Sequence, residues 1–223
     1  MKTSNKLLLG FSGVLVLLML SSAIILRANY SKGITNTNEY NPKEDPDYQK
    51  ASLLPFRALI LTSQPAVENN NGDKNLSINQ STDYSLQSFK NATFRQTGDT
   101  LYIDITKPGS LTLNCNDLQY IRNNTAYDIS LNNLVSSRLE INANSSVHTW
   151  INNAQIKSLS YTGAPSNALE IGEDNKLDSV KITLQKKGSL YFYASYNYGD
   201  IRVDSLRELN LSGKAVSSLK TIN

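Results

Sequence analysis

Apolar residues return about every 21 positions along the C-terminal half of the chain, and polar corners rich in Asn, Ser and Gly lie between them. A period of about 20–25 residues is typical of a solenoid, in which each repeat forms one coil that stacks on the last. Three columns follow this period. The first is Leu118, Leu139, Leu159, Val180, Ile201 and Ile222; the second is Tyr127, His148, Leu169, Leu190 and Leu211, with Ile129, Trp150, Ile171 and Phe192 two residues further on; the third is Leu134, Ile156, Leu177, Tyr198 and Leu219.

One coil illustrates the fold that these columns predict. Leu139 and Ile141 point inward from a first strand, His148 and Trp150 from a second, and Ile156 from a short third side. Stacked coils pair each strand with those above and below it, about 4.8 Å away. We therefore predict an all-β domain, a single-stranded right-handed parallel β-helix of about 21 residues per coil, because right-handed winding is the default. An antiparallel β-sandwich is the alternative.

The chain divides into four predicted segments: a short tail at 1–6, a transmembrane signal anchor at 7–27, a polar linker at 28–52 and the β-helix at 53–223. Asn-Pro and Asp-Pro pairs in the linker favour turns and extended chain. A solenoid exposes strand edges at both ends, and these must be covered. We expect residues 53–61 to cover one end and residues 214–223 the other.

The segment Leu7–Leu26 contains 20 residues without a charge, enough to cross about 30 Å of hydrocarbon as a helix. Two lysines precede it, and Arg27 and Lys32 follow, so the positive-inside rule is nearly balanced. The short tail favours a cytoplasmic N-terminus with the large domain outside, in a bacterial cell envelope. A cleaved signal peptide is the alternative, because Ser21–Ala23 resembles a cleavage site, although the apolar run continues past it.

Charge and cysteine content exclude some classes of protein. The net charge is only +3 over 223 residues, and Lys and Arg form no run, so the basic patch of a nucleic-acid binder is missing. The single cysteine rules out an intrachain disulfide. Cys115 alternates with Leu111 and Leu113, which predicts that it is a small buried apolar residue.

The order of features resembles a known family. A hydrophobic anchor is followed by Leu-Pro-Phe at 54–56, a Gly-Asp turn within 67–73, the run Gly-Asp-Thr-Leu-Tyr-Ile at 98–103, and then the coils. This order resembles the bacterial head-GIN domain family of candidate auto-transporter adhesins in Bacteroidetes-type envelopes. The resemblance implies a right-handed β-helix outside the cell and assigns no catalytic residues. The chain departs from the family pattern in lacking a Gly-Ile-Asn motif.

Few residues suggest catalysis or metal binding. His148 is the only histidine, and one His with one Cys is too few for a zinc site. The densest acidic group, Glu170, Glu173, Asp174 and Asp178, is interpreted as a solvated corner, with a weak cation site as the alternative. We predict no catalytic residue, metal site or cofactor. A polysaccharide-active enzyme, which needs clustered acids on one outer face, and an envelope sensor or scaffold are the alternative functions.

The candidate binding residues are Tyr191, Tyr193 and Tyr196. Alternation places Tyr191 and Tyr193 on the outer face of a strand, with Tyr196 at the next corner. Exposed aromatic rings on a rigid face can stack on sugar rings or anchor a protein partner. The sequence therefore predicts a membrane-anchored, non-enzymatic module that binds a glycan or an envelope protein, and it leaves the oligomeric state open. The residues expected inside this segment are Leu190, Phe192 and Tyr198.

Overall fold

The computed structural model describes residues 3–31, 45–68 and 72–218. The chain forms two compact units, Met1–Glu44 and Asp45–Asn223. The first contains helix α1, Thr3–Ser31. Residues 32–44 of the suggested linker, and Leu219 and Ile222 of the predicted columns, lie outside the described residues.

The second unit is mostly β-structure, with two short helices, α2 (Pro65–Glu68) and α3 (Lys214–Ser218). Strand β1 lies inside the segment 28–52 that the sequence suggested as a linker. The strands are β1 (Gln49–Ser52), β2 (Ala58–Ser63), β3 (Asn75–Gln80), β4 (Ser85–Ser88), β5 (Ala92–Thr97), β6 (Thr100–Ile105), β7 (Leu111–Cys115), β8 (Tyr120–Asn123), β9 (Asp128–Asn132), β10 (Val135–Ala143), β11 (His148–Asn152), β12 (Gln155–Gly163), β13 (Ala168–Ile171), β14 (Lys176–Leu184), β15 (Gly188–Phe192), β16 (Tyr198–Val203) and β17 (Leu206–Leu211).

Two sheets enclose one apolar core. The nine-stranded sheet has the order β1-β4-β7-β3-β9-β11-β13-β15-β17, and the eight-stranded sheet has the order β16-β14-β12-β10-β8-β2-β6-β5. From β8 onward each coil adds one strand to each sheet, and successive strands pair in parallel. Leu139 lies opposite Leu159, which lies opposite Val180, so these three members of the first predicted column are in register. Ile201, a fourth member, lies opposite Ile182 instead of Val180, because the step into β16 is shorter by two residues.

The third predicted side is part of a longer strand. β12 contains both Ile156 and Leu159, and its alternation of buried and exposed residues is interrupted by two exposed residues, Lys157 and Ser158. A similar interruption occurs in β10, at the exposed Ser137 and Arg138, and in β14, at the exposed Asp178 and the half-buried Ser179. This change of phase turns the first residues of each nine-residue strand onto a separate side of the core. A coil therefore contains two strands rather than three.

The sheets are mixed, which corrects the prediction of a single parallel β-helix. β5 runs antiparallel to β6, and β4 runs antiparallel to both β1 and β7. The winding is also not sequential, because β2 lies between β6 and β8, and β3 lies between β7 and β9. Residues 58–61, which were expected to cover an end, are therefore inside the stack.

Candidate functional site

Strand β11 has the opposite phase to the predicted one. Thr149 and Ile151 are fully buried, whereas His148 and Trp150 are half-buried on the outer face of the nine-stranded sheet. Thr149 pairs with Ile129 below it and with Leu169 above it, so the coil step here is 20 residues rather than 21. Because side chains alternate along a strand, a shift of one residue moves every side chain to the other face. The prediction that His148 and Trp150 point inward is wrong.

The reversed phase places three aromatic rings side by side on the outer face. The ring centroids of His148 and Trp150 are 3.9 Å apart with an interplanar angle of 16°, and the ring of Tyr191 lies 6.2 Å from that of His148. Glu170 occupies the strand between Trp150 and Tyr191, with which it pairs in register. We call His148, Trp150, Glu170 and Tyr191 the aromatic surface.

Residues of the next coil surround Tyr191. The hydroxyl of Tyr191 donates a hydrogen bond of 2.7 Å to Glu208, and this bond raises the pKa of the phenol. Arg207 donates from Nε to the hydroxyl of Ser189, 3.2 Å away. Ser189 faces outward yet is fully buried, so the surrounding side chains cover it. The aromatic surface therefore has charged groups of both signs at its border.

The side chain of His148 is partly shielded from solvent. Its backbone N–H donates to Asp128 Oδ1 at 2.7 Å, and its Nε2 lies 3.5 Å from Glu170 Oε2. Nε2 is buried and has no hydrogen-bond partner among the described residues. Burial lowers the pKa of His148, because it disfavours the charged imidazolium, while Glu170 and Asp128 act in the opposite direction. The neutral imidazole is thus the form that the folded chain favours.

The predicted tyrosines have different environments. Tyr191 faces outward on β15, and Tyr193 is half-buried just beyond the end of that strand. Tyr196 is half-buried, and its ring stacks on Phe192 at 5.2 Å, so it belongs to the edge of the core. Tyr198 is 72% exposed, which corrects the expectation that it lies inside. Of the three candidates, Tyr191 alone joins the aromatic surface.

The other candidate chemistry lies elsewhere. Cys115 is fully buried, and burial raises the pKa of its thiol to about 12, so no thiolate nucleophile forms there near neutral pH. Glu173 and Asp174 are exposed, and Glu173 lies 3.7 Å from Lys214. The described residues hold no group of three His, Cys, Asp or Glu side chains arranged to bind a metal ion.

Comparisons with known proteins relate the chain to solved structures only. No family model matches the sequence, and no curated protein matches it. A crystal structure of a candidate adhesin from Bacteroides fragilis NCTC 9343 superposes with a TM-score of 0.52 at 11% identity, covering 74% of this chain and 96% of that one. The fold is shared.

Two weaker structural matches accompany the first. A candidate lipid-binding protein from Parabacteroides distasonis ATCC 8503 gives a TM-score of 0.45 at 12% identity, covering 76% of this chain and 95% of that one. A candidate adhesin from Parabacteroides merdae ATCC 43184 gives a TM-score of 0.45 at 9% identity, covering 70% of this chain and 76% of that one.

Proposed function

We propose that this chain is a non-enzymatic adhesion module of a bacterial envelope, held at the membrane by α1. The observation that carries the proposal is the aromatic surface, which leaves Trp150 and Tyr191 half-exposed on a rigid sheet. The shared fold with a candidate adhesin is consistent with this function.

The membrane anchor is the first part of the proposal. The segment Gly10–Ala28 is a helix of 19 residues with mean hydropathy 2.1, and its residues are exposed. By length and composition it can cross a bilayer, although a signal sequence meets the same criteria. In this proposal α1 is retained, its N-terminus is cytoplasmic, and the chain between α1 and β1 holds the β-domain outside the membrane.

A family assignment forms the second part. The parallel strands from β8 to β17 are interpreted as a right-handed β-helix, which antiparallel strands cover at its N-terminal end. The stack and the apolar anchor support the resemblance to the head-GIN family. Members of that family are described as candidate adhesins, which is the function proposed here.

The preferred ligand of the aromatic surface is a protein. Trp, Tyr and Arg are enriched among the residues that dominate protein–protein binding, and Trp150, Tyr191 and Arg207 lie together here. The rings stack against one another on a sheet face, so they offer an aromatic centre with a charged border, as protein interfaces do. In this proposal Tyr193, just beyond the end of β15, and Tyr196, whose ring stacks on the core residue Phe192, contact the same partner outside the aromatic surface itself.

An adhesion assay tests the proposal. The assay measures the attachment of cells that carry the full chain, or its Trp150→Ser or Tyr191→Ser variant, to a layer of target cells. The target cells are untreated, treated with protease to remove surface proteins, or treated with periodate to oxidise surface glycans. Tyr102→Ser, an outward tyrosine of the other sheet, is the matched control. We expect the first two variants and protease treatment to abolish attachment, while the control and periodate treatment leave it intact. Attachment that survives Trp150→Ser would contradict the proposed site.

A further inference from the structure

An open groove of about 740 Å³ crosses the outer face of the eight-stranded sheet. It spans β10, β12, β14 and β16, which are consecutive neighbours in that sheet. Three strand spacings separate its outer strands, so the groove is about 14 Å wide between them. Because it lies on the sheet opposite to the aromatic surface, its function does not rest on the one proposed above.

Two rows of paired residues build the groove. One row runs Arg138–Ser158–Ser179–Tyr198, and the other runs Glu140–Ser160–Lys181–Asp200. Serines fill three of the four middle positions, Ser158 and Ser179 in the first row and Ser160 in the second, where Lys181 is the fourth. Larger side chains stand on the two outer strands. The concavity therefore follows directly from the register of the coils. We call this feature the serine groove.

The charges that line the serine groove are balanced. Arg138 and Lys181 are positive, and Glu140 and Asp200 are negative. Arg138 Nη2 lies 3.1 Å from Glu140 Oε2. A phosphate or an acidic polymer would face the two carboxylates, and a cationic ligand would face the two basic groups. An uncharged ligand rich in both donors and acceptors fits this lining better than either.

The orientation of the polar groups favours hydroxyl recognition. Asp200 is held by Arg202 through two contacts of 3.0 Å, which fix the plane of its carboxylate. Glu140 Oε1 accepts a hydrogen bond of 3.2 Å from Asn142. Carboxylates fixed in this way can accept hydrogen bonds from neighbouring hydroxyls of one ligand. Tyr198, which is 72% exposed, adds an apolar ring at the edge of the groove.

A peptide strand fits this groove less well. Extended peptides bind by pairing with the free edge of a sheet, where backbone N–H and C=O groups are unpaired. The serine groove lies instead on the outer face of four strands that pair with one another. β16 is the last strand of this sheet, so a peptide paired with its outer edge would lie beside the groove and not in it. What it offers is hydroxyls, fixed carboxylates and an aromatic ring. We propose that the serine groove is a binding site for a neutral saccharide.

Calorimetric titration of the full chain in nanodiscs tests this inference. The probes are neutral oligosaccharides (tetramers of glucose, mannose and xylose) and, for contrast, an oligogalacturonate and a lysine-rich peptide. Tyr198→Ala removes the ring, and Ser160→Val fills the groove and removes a hydroxyl. Each should weaken binding of the neutral probe about tenfold, as expected for the loss of one ring contact or hydrogen bond. Tyr102→Ala, on the same sheet outside the groove, should leave binding unchanged.

Three results would overturn the inference. The first is no binding of any neutral probe at millimolar concentration, and the second is binding of the charged probes alone. The third is saccharide binding that Trp150→Ser abolishes and the two groove variants leave intact, because that would assign the saccharide to the aromatic surface. The loss of cell attachment by Trp150→Ser with intact saccharide binding would separate the two sites.

Discussion

Buried asparagines hold the corners of the coils together. Asn175 is 2% exposed, and its Oδ1 accepts a hydrogen bond of 2.8 Å from the backbone N–H of Ala154 in the coil below. Its Nδ2 donates to the carbonyl groups of Ile151 and Gly172, both at 2.7 Å. Since a corner leaves backbone groups without strand partners, an inward amide supplies the missing bonds. This role explains part of the high asparagine content.

Asn175→Ala should therefore destabilise the fold. The substitution leaves the buried N–H of Ala154 without its partner, which costs about 1–3 kcal/mol. The carbonyl groups of Ile151 and Gly172 each keep a backbone donor and lose the amide bond, at about 0.5–1.5 kcal/mol each. We expect the free energy of unfolding in urea to fall by at least about 2 kcal/mol. Asn152→Ala, an exposed corner residue whose amide makes one bond of 3.3 Å, is the control and should cost much less. Equal losses in the two variants would contradict this role.

His148 should make stability depend on pH. Because burial lowers the pKa of His148 in the folded chain below its ordinary value of 6.5, the unfolded chain binds more protons as the pH falls below that value. The free energy of unfolding should therefore decrease from about pH 7 to about pH 5.5, where histidine titrates. Denaturant unfolding of the wild type and of His148→Gln across this range measures the effect.

The difference between these two pH profiles isolates the histidine. Glu170, Asp128 and Arg207 face it in both proteins, so their own titration contributes to both curves. We expect the wild type to lose more stability on acidification than His148→Gln. Parallel profiles, or a wild type that gains stability, would mean that protonated His148 is accommodated by Glu170.

At the level of strands, the periodicity of apolar residues predicted which residues stack in a column. It was less successful in predicting which residues of a strand face the core. The column Leu139–Leu159–Val180 could be read from the sequence, because only the apolar pattern sets its register. Strand β11 could not, because Trp150 is more apolar than Thr149, yet Thr149 is the buried residue. Tyr191 was placed outward on β15, but its neighbours His148 and Trp150 were missed. The 20-residue spacing of Leu139 and Leu159 was the signal in the sequence that could have indicated a 20-residue step at β11 as well.

A pair of substitutions tests the phase of β11. Ile151→Ala should lower the free energy of unfolding by about 2–5 kcal/mol, because the Ile151 side chain is fully buried and its removal leaves a cavity in the core. Trp150→Ala removes a half-exposed ring and should cost about 1 kcal/mol for the lost stacking on His148. Chemical denaturation of both variants compares the two values. A larger loss of unfolding free energy in Trp150→Ala than in Ile151→Ala would mean that Trp150 lies in the core.

At the level of the whole molecule, the stacking order of the coils is the feature that sequence could not supply. Leu59 pairs with Leu101 on one side and with Ile121 on the other, so the first coil lies between the second and the third. An apolar strand buried on one face fits either neighbour equally well. The pattern of apolar residues therefore predicted stacked coils but not their sequence in the stack.

The prediction for the full chain is that the β-domain lies on the outer side of the membrane. If α1 is a retained anchor, the protein should stay with membranes through alkaline extraction and dissolve only in detergent. A protease added to intact cells, after permeabilisation of any outer membrane, should remove the β-domain. Immunoblotting against residues 45–218 measures its loss, with a cytoplasmic protein as the control. Complete protection of the β-domain would contradict the outward orientation.

Iodide quenching of Trp150, the single tryptophan of the chain, tests most directly whether the aromatic surface lies on the outer face. The account predicts that iodide quenches the tryptophan fluorescence of the native full chain, and that the emission maximum is that of a partly hydrated indole. A blue-shifted emission that iodide reaches only after unfolding would contradict the account, because Trp150 would then lie in the core and the proposed binding surface would not exist.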